Sequence, residues 1–112
     1  MTAEHEQQAH ELAEMLRESS RTVVLSGAGI STESGIPDFR TPGSGLWSQV
    51  DPMEILSVTA MRRDPKRFYD FKVPLWRTLN AVEPNAAHYA IAELQRMGLV
   101  KTVVTQNIDS LH

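Results

Sequence analysis

Residues 22–40 have the sequence TVVLSGAGISTESGIPDFR, in which a short apolar run is followed at once by glycines. Valine, leucine and threonine in a run of this length favour a buried β-strand over residues 22–26. Gly27 and Gly29 allow positive φ and close approach of a ligand to the backbone, and a helix beginning near Ser31 would add unpaired N–H groups. The stretch therefore predicts a strand, a phosphate-binding loop and a helix, with a plain tight turn as the alternative.

The rest of the chain predicts further helices and a second strand of the same kind. Apolar periodicity predicts helices over residues 4–18 and 86–97, and VKTVVT, residues 100–105, is similar in character to the first strand. Asp64 before a proline predicts the start of another helix, in which Pro74 predicts a kink or a break. Helices between parallel strands indicate an α/β domain with a Rossmann-like parallel sheet and flanking helices.

Apolar stripes predict which faces of these helices are buried. The first helix has one such stripe, which includes Leu12 and Leu16. The helix that begins after Asp64 should bury one side, made of Phe68, Phe71, Leu75, Trp76 and Leu79.

Polar residues follow each predicted strand. GAGIST follows the first, and QNID, residues 106–109, follows the second. In open parallel sheets ligands bind beyond the carboxyl ends of the strands, so both segments should face one site. Gln106, Asn107 and Asp109 carry amide and carboxylate groups that suit ribose hydroxyls or a carboxamide. The alternative is a turn in which Asn107 or Asp109 caps a following helix.

The glycine segment departs from the dinucleotide fingerprint of dehydrogenases. Thr32 stands at the third glycine position of G-x-G-x-x-G, and Asp51, at the spacing of the usual ribose-binding acid, lies in a proline-flanked stretch. Arg40 could pair with a phosphate and Phe39 could cover a bound ring; the alternative is a surface arginine beside a core phenylalanine. A conventional hydride-transfer site is not predicted.

Composition excludes several classes of protein. The chain has 112 residues, 41% of them hydrophobic and 22% charged, as in a soluble globular domain or part of one. The net charge of −3 gives no reason to expect nucleic acid or an anionic membrane as partner, and the basic cluster over residues 62–67 is interpreted as a solvated helix face. The polar, acidic start and the absence of long apolar runs predict a cytoplasmic location.

Three blocks of the chain resemble the signature motifs of the sirtuins, the NAD-dependent protein-lysine deacylases. They are GAGISTESGIPDFR at residues 27–40, PNAAH at 84–88 and TQNIDSLH at 105–112. The resemblance implies that residues 1–112 are the N-terminal part of one Rossmann-like NAD-binding domain. It also implies a flexible cofactor-binding loop near residues 37–56 and a helical insertion near 53–80.

The resemblance further implies an NAD site and a deacylation reaction. The residues implied to bind NAD are Gly27, Ala28, Gly29, Ser31, Thr32, Ile36, Asp38, Phe39, Arg40, Gln106, Asn107, Ile108 and Asp109. Asn107 and Asp109 are also implied as catalytic residues. In the family, the acyl-lysine carbonyl oxygen attacks the ribose as nicotinamide leaves, so an acylated-lysine protein is the implied partner. A sirtuin-like mono-ADP-ribosyltransferase or NAD glycohydrolase, and a noncatalytic nucleotide-binding or assembly module, are the alternatives.

Two features of the family have no counterpart in this sequence. One is the general-base histidine of an HG motif downstream of QNID, and the other is a four-cysteine zinc module, since the chain has no cysteine. His112 belongs to the DSLH block and is not assigned the base role, and His88 is predicted to pack or cap a helix. We therefore expect the N-terminal part of a longer enzyme, inactive alone, that self-associates or needs its missing C-terminal part.

Overall fold

The structure is a computed structural model in which residues 1–36, 38 and 52–112 are described. The elements are α1 Ala3–Glu18, β1 Val23–Ser26, a 3₁₀ helix Ala28–Ser34, α2 Pro52–Leu56, α3 Val58–Arg63, α4 Pro65–Ala81, α5 Ala86–Arg96 and β2 Thr102–Thr105. This order is the predicted α/β arrangement. Phe39, Arg40 and most of the predicted loop near 37–56 lie outside the described residues, and the last five residues of that loop form α2. None of the helices described is long and apolar enough to cross a membrane.

Strands β1 and β2 pair in parallel, with Val23 opposite Thr102 and Ser26 opposite Thr105. The ladder continues past β2 through a bond from the Gln106 amide to the Ser26 carbonyl at 3.0 Å. Both strands therefore end at one edge of the sheet, and the predicted meeting of the two strand tips is confirmed. The small parallel sheet with flanking helices is a partial Rossmann-like fold.

The starts of α4 and α5 and the end of α5 lie where the sequence predicts them. The Asp64 side chain accepts a hydrogen bond from the Arg67 amide at 3.1 Å, and the Asn85 side chain accepts one from the Ala87 amide at 2.9 Å. Each bond satisfies a backbone N–H that the first helical turn leaves unpaired. Beyond α5, Gly98 has a φ of +78°, a left-handed conformation that stops the helix.

Helix α4 continues through Pro74, so of the predicted kink or break the break does not occur, and the kink stays a prediction. The bond that a proline removes is the one its nitrogen would donate to the carbonyl four residues earlier, here that of Asp70. This turn of α4 is exposed, so water can bond to that carbonyl and the loss does not end the helix.

The core that supports the site is small and joins distant parts of the chain. Ile36, Leu79 and Leu111 are buried against one another, and Leu75 and Val82 pack around them. Ile36 follows the 3₁₀ helix, Leu75 and Leu79 lie in α4, Val82 follows α4, and Leu111 lies in the block at residues 105–112. Packing them together holds the three segments next to one another.

Several apolar faces predicted to be buried are exposed. In β1, Val23 is 58% exposed and Leu25 is 68% exposed, so the prediction of a buried strand is wrong. Helix α1 has no buried residue, with Leu12 56% exposed, and Trp76 of α4 is 57% exposed beside the ammonium of Lys72. Periodicity identifies the apolar face of an element, but burial also needs a second layer, and the sheet of the described residues has only two strands.

Candidate functional site

The glycine segment, residues 27–36, leaves β1 as a 3₁₀ helix and not as the α-helix predicted to begin near Ser31. Glycine, serine and threonine dominate this segment and have low α-helical propensity, and short 3₁₀ helices commonly serve as connectors. The 3₁₀ helix ends at its C-cap residue Gly35, whose φ is +95°. Among the described glycines the positive φ values are at Gly35 and Gly98, so Gly27 and Gly29 do not use the positive φ that glycine allows.

Gly27 and Gly29 matter instead for the space beside them. A Cβ built on either glycine would meet no atom within 4 Å. Both residues line the pocket described below, so a side chain at either position would project into open space near it. The lack of a side chain leaves the backbone open to close approach, which is the second property that the sequence predicted for these glycines.

Asn107 joins the two strand tips through its side-chain amide. Its Nδ2 donates a hydrogen bond to the Gly27 carbonyl at 2.9 Å and lies 3.4 Å from the Ser31 hydroxyl. Its backbone amide donates to the hydroxyl of Thr105 at 3.1 Å, which closes a local turn after β2. The carboxamide is therefore fixed between the glycine segment and the QNID segment, residues 106–109.

Asp109 is fixed by one hydrogen bond to each of its carboxylate oxygens. The hydroxyl of Ser31, which is only 1% exposed, donates to Oδ2 at 2.6 Å. The backbone amide of Leu111 donates to Oδ1 at 3.0 Å. The second bond forms an Asx turn. The alternative of Asn107 or Asp109 as a helix cap stays a prediction. Ser31 thereby orients the carboxylate.

The two segments border a pocket of about 440 Å³, a volume within the range of small-molecule sites. It is lined by Gly27, Ala28, Gly29, Ser31, Ile36, Asp38, Leu56, Leu75, Leu79, Gln106, Asn107, Ile108 and Asp109. Polar groups at the strand tips therefore face an apolar wall supplied by the helices. This combination suits a small molecule that has both polar and apolar parts.

Most of the predicted site residues meet in this pocket, and a few do not. Thr32 is exposed and does not line it, and its hydroxyl donates to the Gly29 carbonyl at 2.9 Å. Phe39 and Arg40 lie outside the described residues. Their cofactor contacts stay predictions, as do the binding and catalytic roles of the residues that do meet.

Three lining residues were not predicted as site residues: Leu56, Leu75 and Leu79. The apolar stripe of α4 assigned Leu75 and Leu79 to the core, which is correct for the buried Leu79. Both leucines also close the floor of the pocket. A stripe shows that a face is apolar, but only the packing of α4 against the glycine segment decides what that face meets.

A pair of histidines lies behind the strand tips. His88 is 3% exposed, and its Nδ1 accepts a hydrogen bond from the Asn85 amide at 3.2 Å, so its predicted packing or capping role is confirmed. Its ring centroid lies 5.0 Å from that of His112, whose Nε2 is 2.8 Å from the Ser26 hydroxyl. Burial lowers the pKa of His88, the charge on His112 lowers it further, and Asp109 acts in the opposite direction.

The model of the Sir2 family matches residues 27–112 of this chain, a range that contains both polar segments of the pocket. The chain belongs to the Sir2 family. The resemblance predicted from three motifs is thereby confirmed, as is the fold class that it implied.

Sir2 relatives and structures match the chain over most of its length. The NAD-dependent protein deacetylase 2 of Caldanaerobacter subterraneus subsp. tengcongensis is 49% identical over 100 residues, which cover 89% of this chain and 40% of the relative. The NAD-dependent protein deacylase 2 of Archaeoglobus fulgidus is 52% identical over 107 residues, covering 96% of this chain and 42% of the relative. The chain therefore spans about 40% of the length of these relatives.

A solved structure of a Sir2 homologue in complex with NAD has the same fold. It superposes with a TM-score of 0.82 at 40% identity, over 92% of this chain and 40% of that chain. In the ranges described for the present Sir2 protein, no three His, Cys, Asp or Glu side chains are grouped so that they could hold a metal ion. The zinc of the family therefore stays a prediction outside this chain.

Proposed function

We propose that this chain supplies the NAD-binding part of an NAD-dependent protein-lysine deacylase. The pocket at the strand tips carries the proposal, because it brings the open backbone of Gly27 and Gly29 to the fixed side chains of Asn107 and Asp109. The relatives support it: two of them are named as an NAD-dependent protein deacetylase and an NAD-dependent protein deacylase, and a Sir2 homologue is known in complex with NAD.

The residues of the pocket fit NAD in three respects. The space beside Gly27 and Gly29 leaves their backbone accessible to a pyrophosphate, which a side chain would hinder. Ile36 and Leu75 offer apolar surface to a ring. Asp109 offers carboxylate lone pairs to the hydrogens of a carboxamide or of ribose hydroxyls.

NAD, when bound, supplies an ADP-ribosyl group to the acyl oxygen of a modified lysine, with loss of nicotinamide. The part of this chain in that reaction is to bind and to orient. The two hydrogen bonds to Asp109 fix its carboxylate before a ligand arrives. Asn107 is held in the same way by the Gly27 carbonyl, which places its carboxamide at the junction of the two segments. Fixed polar groups of this kind need no rearrangement during a reaction, which lowers its barrier.

Roles for the remaining predicted residues follow from the same proposal. Ala28, Gln106 and Ile108 are proposed to contact NAD from the strand tips, and Ile36 and Asp38 to lie near the carboxamide. Thr32 is proposed to act on the glycine segment through its bond to Gly29. The substrate proposed for the complete protein is a protein with an acylated lysine.

The proposal is tested by incubating an acetyl-lysine peptide with NAD and the full-length protein. The products are then identified by mass spectrometry. The expected products are the deacetylated peptide, nicotinamide and O-acetyl-ADP-ribose. ADP-ribosylated protein would instead favour the transferase alternative, and ADP-ribose formed without peptide would favour the glycohydrolase. Asp109→Asn should reduce product formation, and Asp70→Asn, at an exposed ion pair with Lys66 on α4, is the matched control.

Calorimetric titration with NAD separates the third alternative. Binding of NAD without any product would favour a noncatalytic nucleotide-binding module. No binding of NAD by the protein as encoded would overturn the proposed function.

A further inference from the structure

We propose that Asn85 is a positioning residue that holds the glycine segment in its binding geometry through its side-chain amide. The Asn85 Nδ2 donates hydrogen bonds to the Ile30 carbonyl at 2.7 Å and to the Ser34 hydroxyl at 3.0 Å. Ile30 is 55 positions away in the sequence, so these bonds join α5 to the other half of the chain. The inference rests on the proposed function, because it gives this contact a role in NAD binding.

The orientation of the Asn85 amide is determined by α5. Its Oδ1 accepts a bond from the Ala87 amide at 2.9 Å, and its backbone N–H donates to His88 Nδ1 at 3.2 Å. These two bonds make a capping box, a motif that fixes both the backbone and the side chain of the cap residue. Since Oδ1 must face the helix, Nδ2 must face the glycine segment.

The glycine segment needs such support because it has little rigidity of its own. Hydrogen bonds in a 3₁₀ helix have poorer geometry than those in an α-helix. At its start the segment is held by the bond from Asn107 to the Gly27 carbonyl. The bonds from Asn85 to Ile30 and Ser34 hold its middle and its end, on either side of Ser31.

Ser31 is the residue through which this contact reaches the pocket. It follows Ile30 directly and donates the 2.6 Å bond that orients Asp109. Asn85 itself does not line the pocket. A shift of Ile30 would therefore change the direction of the Ser31 hydroxyl and release the carboxylate, without removing any group that touches a ligand.

The variant Asn85→Asp separates the two functions of the residue. Aspartate caps helices as well as asparagine does, so α5 should keep its N-cap bond. The donor to Ile30 is replaced by a carboxylate oxygen that repels the carbonyl. Asp64→Asn is the matched control, because it makes the reverse exchange at the N-cap of α4, where the side chain bonds to the Arg67 amide.

Two measurements on the protein as encoded test the proposal. Calorimetry should give a Kd for NAD about tenfold higher for Asn85→Asp, as expected for the loss of the hydrogen bond to the Ile30 carbonyl, and an unchanged Kd for Asp64→Asn. Hydrogen exchange without NAD should be several-fold faster over residues 28–36 in Asn85→Asp and unchanged over α5. Hydrogen exchange is measured without NAD. It therefore tests the positioning role of Asn85 even if the wild-type protein does not bind NAD and the proposed function is wrong.

Two results would overturn the positioning role. One is exchange over residues 28–36 that stays at the wild-type rate, and the other is an equal increase over α5, which would mean that Asn85 only stabilises the helix. Should Asn85→Asp fail to fold, Asn85→Ser replaces it, because serine also caps helices but is too short to reach Ile30. Its exchange rates are judged by the same two criteria.

Discussion

The hydrogen bond between Ser31 and Asp109 gives the sharpest test of the site. The donor is 1% exposed, the distance is 2.6 Å, and the acceptor is a carboxylate that is half-buried. Hydrogen bonds to charged groups contribute about 1.5–3 kcal/mol. Because Asp109 keeps some contact with water, we expect the lower part of this range, so Ser31→Ala should reduce the free energy of unfolding by about 2 kcal/mol.

Urea denaturation of a double-mutant cycle measures this contribution. The cycle compares Ser31→Ala, Asp109→Ala and the double variant with the wild-type protein. A direct bond predicts a coupling energy of about 1 kcal/mol or more between the two positions. Thr32→Ala is the matched control, because it removes a neighbouring hydroxyl that is exposed and donates to the Gly29 carbonyl, and its cost should stay within about 0.5 kcal/mol.

Additivity would refute this reasoning. If the cost of the double variant equals the sum of the two single costs within about 0.3 kcal/mol, the two side chains do not interact in solution. The carboxylate of Asp109 would then be free to rotate, and the preorganised pocket would lose its main support. Equal costs for Ser31→Ala and Thr32→Ala would lead to the same conclusion.

Three further predictions concern other parts of the site. Gly29→Val should change the free energy of unfolding by less than about 1 kcal/mol, because a Cβ at this position meets no atom within 4 Å. The same variant should weaken NAD binding in calorimetry, and an unchanged affinity would count against a pyrophosphate at this backbone. Burial and His112 lower the pKa of His88 in the folded protein, and Asp109 opposes them without cancelling the effect. The unfolded chain, in which His88 has its ordinary pKa of 6.5, therefore binds more protons. Stability should fall as the pH drops below 6.5 towards the lowered pKa of His88 in the folded protein. His88→Gln keeps an acceptor for the capping box and should remove this part of the pH dependence in urea titrations; an unaltered slope would point to another group. Leu79→Ala should cost about 2–5 kcal/mol in thermal or urea unfolding, and a loss below about 1 kcal/mol would mean that Leu79 is not a core residue.

The parts of the fold that could be predicted depend on local chemistry. Asp64 and Asn85 cap the helices that follow them, and Gly98 stops the helix before it, because each supplies an atom or a conformation that the helix end requires. The meeting of the two polar segments needs one general rule in addition, that parallel strands end at the same edge of a sheet.

The parts that could not be predicted depend on what lies next to a residue in space. The sequence places Ser31 at the predicted cofactor site, but it does not show that the Ser31 hydroxyl donates to Asp109, 78 positions away. Leu25 was assigned to a buried strand, but nothing in the described residues covers it. Glycine allows a left-handed backbone at residues 27 and 29, but the 3₁₀ helix that this segment forms is held by hydrogen bonds from Asn107 and Asn85. No single segment contains this information.

Ser31, Asn107 and Asp109 of the pocket form hydrogen bonds within the protein, and these bonds determine which polar groups remain for a ligand. The donors of Ser31 and Asn107 and one lone pair on each oxygen of Asp109 are used within the protein. A ligand therefore meets open glycine backbone, the remaining lone pairs of a fixed carboxylate, the Gln106 side chain and an apolar wall. The bonds that fix these groups span 55, 78 and 80 positions, so each joins one half of the chain to the other. The pocket can exist only when both halves are folded together, and its affinity for NAD should follow the stability of that junction.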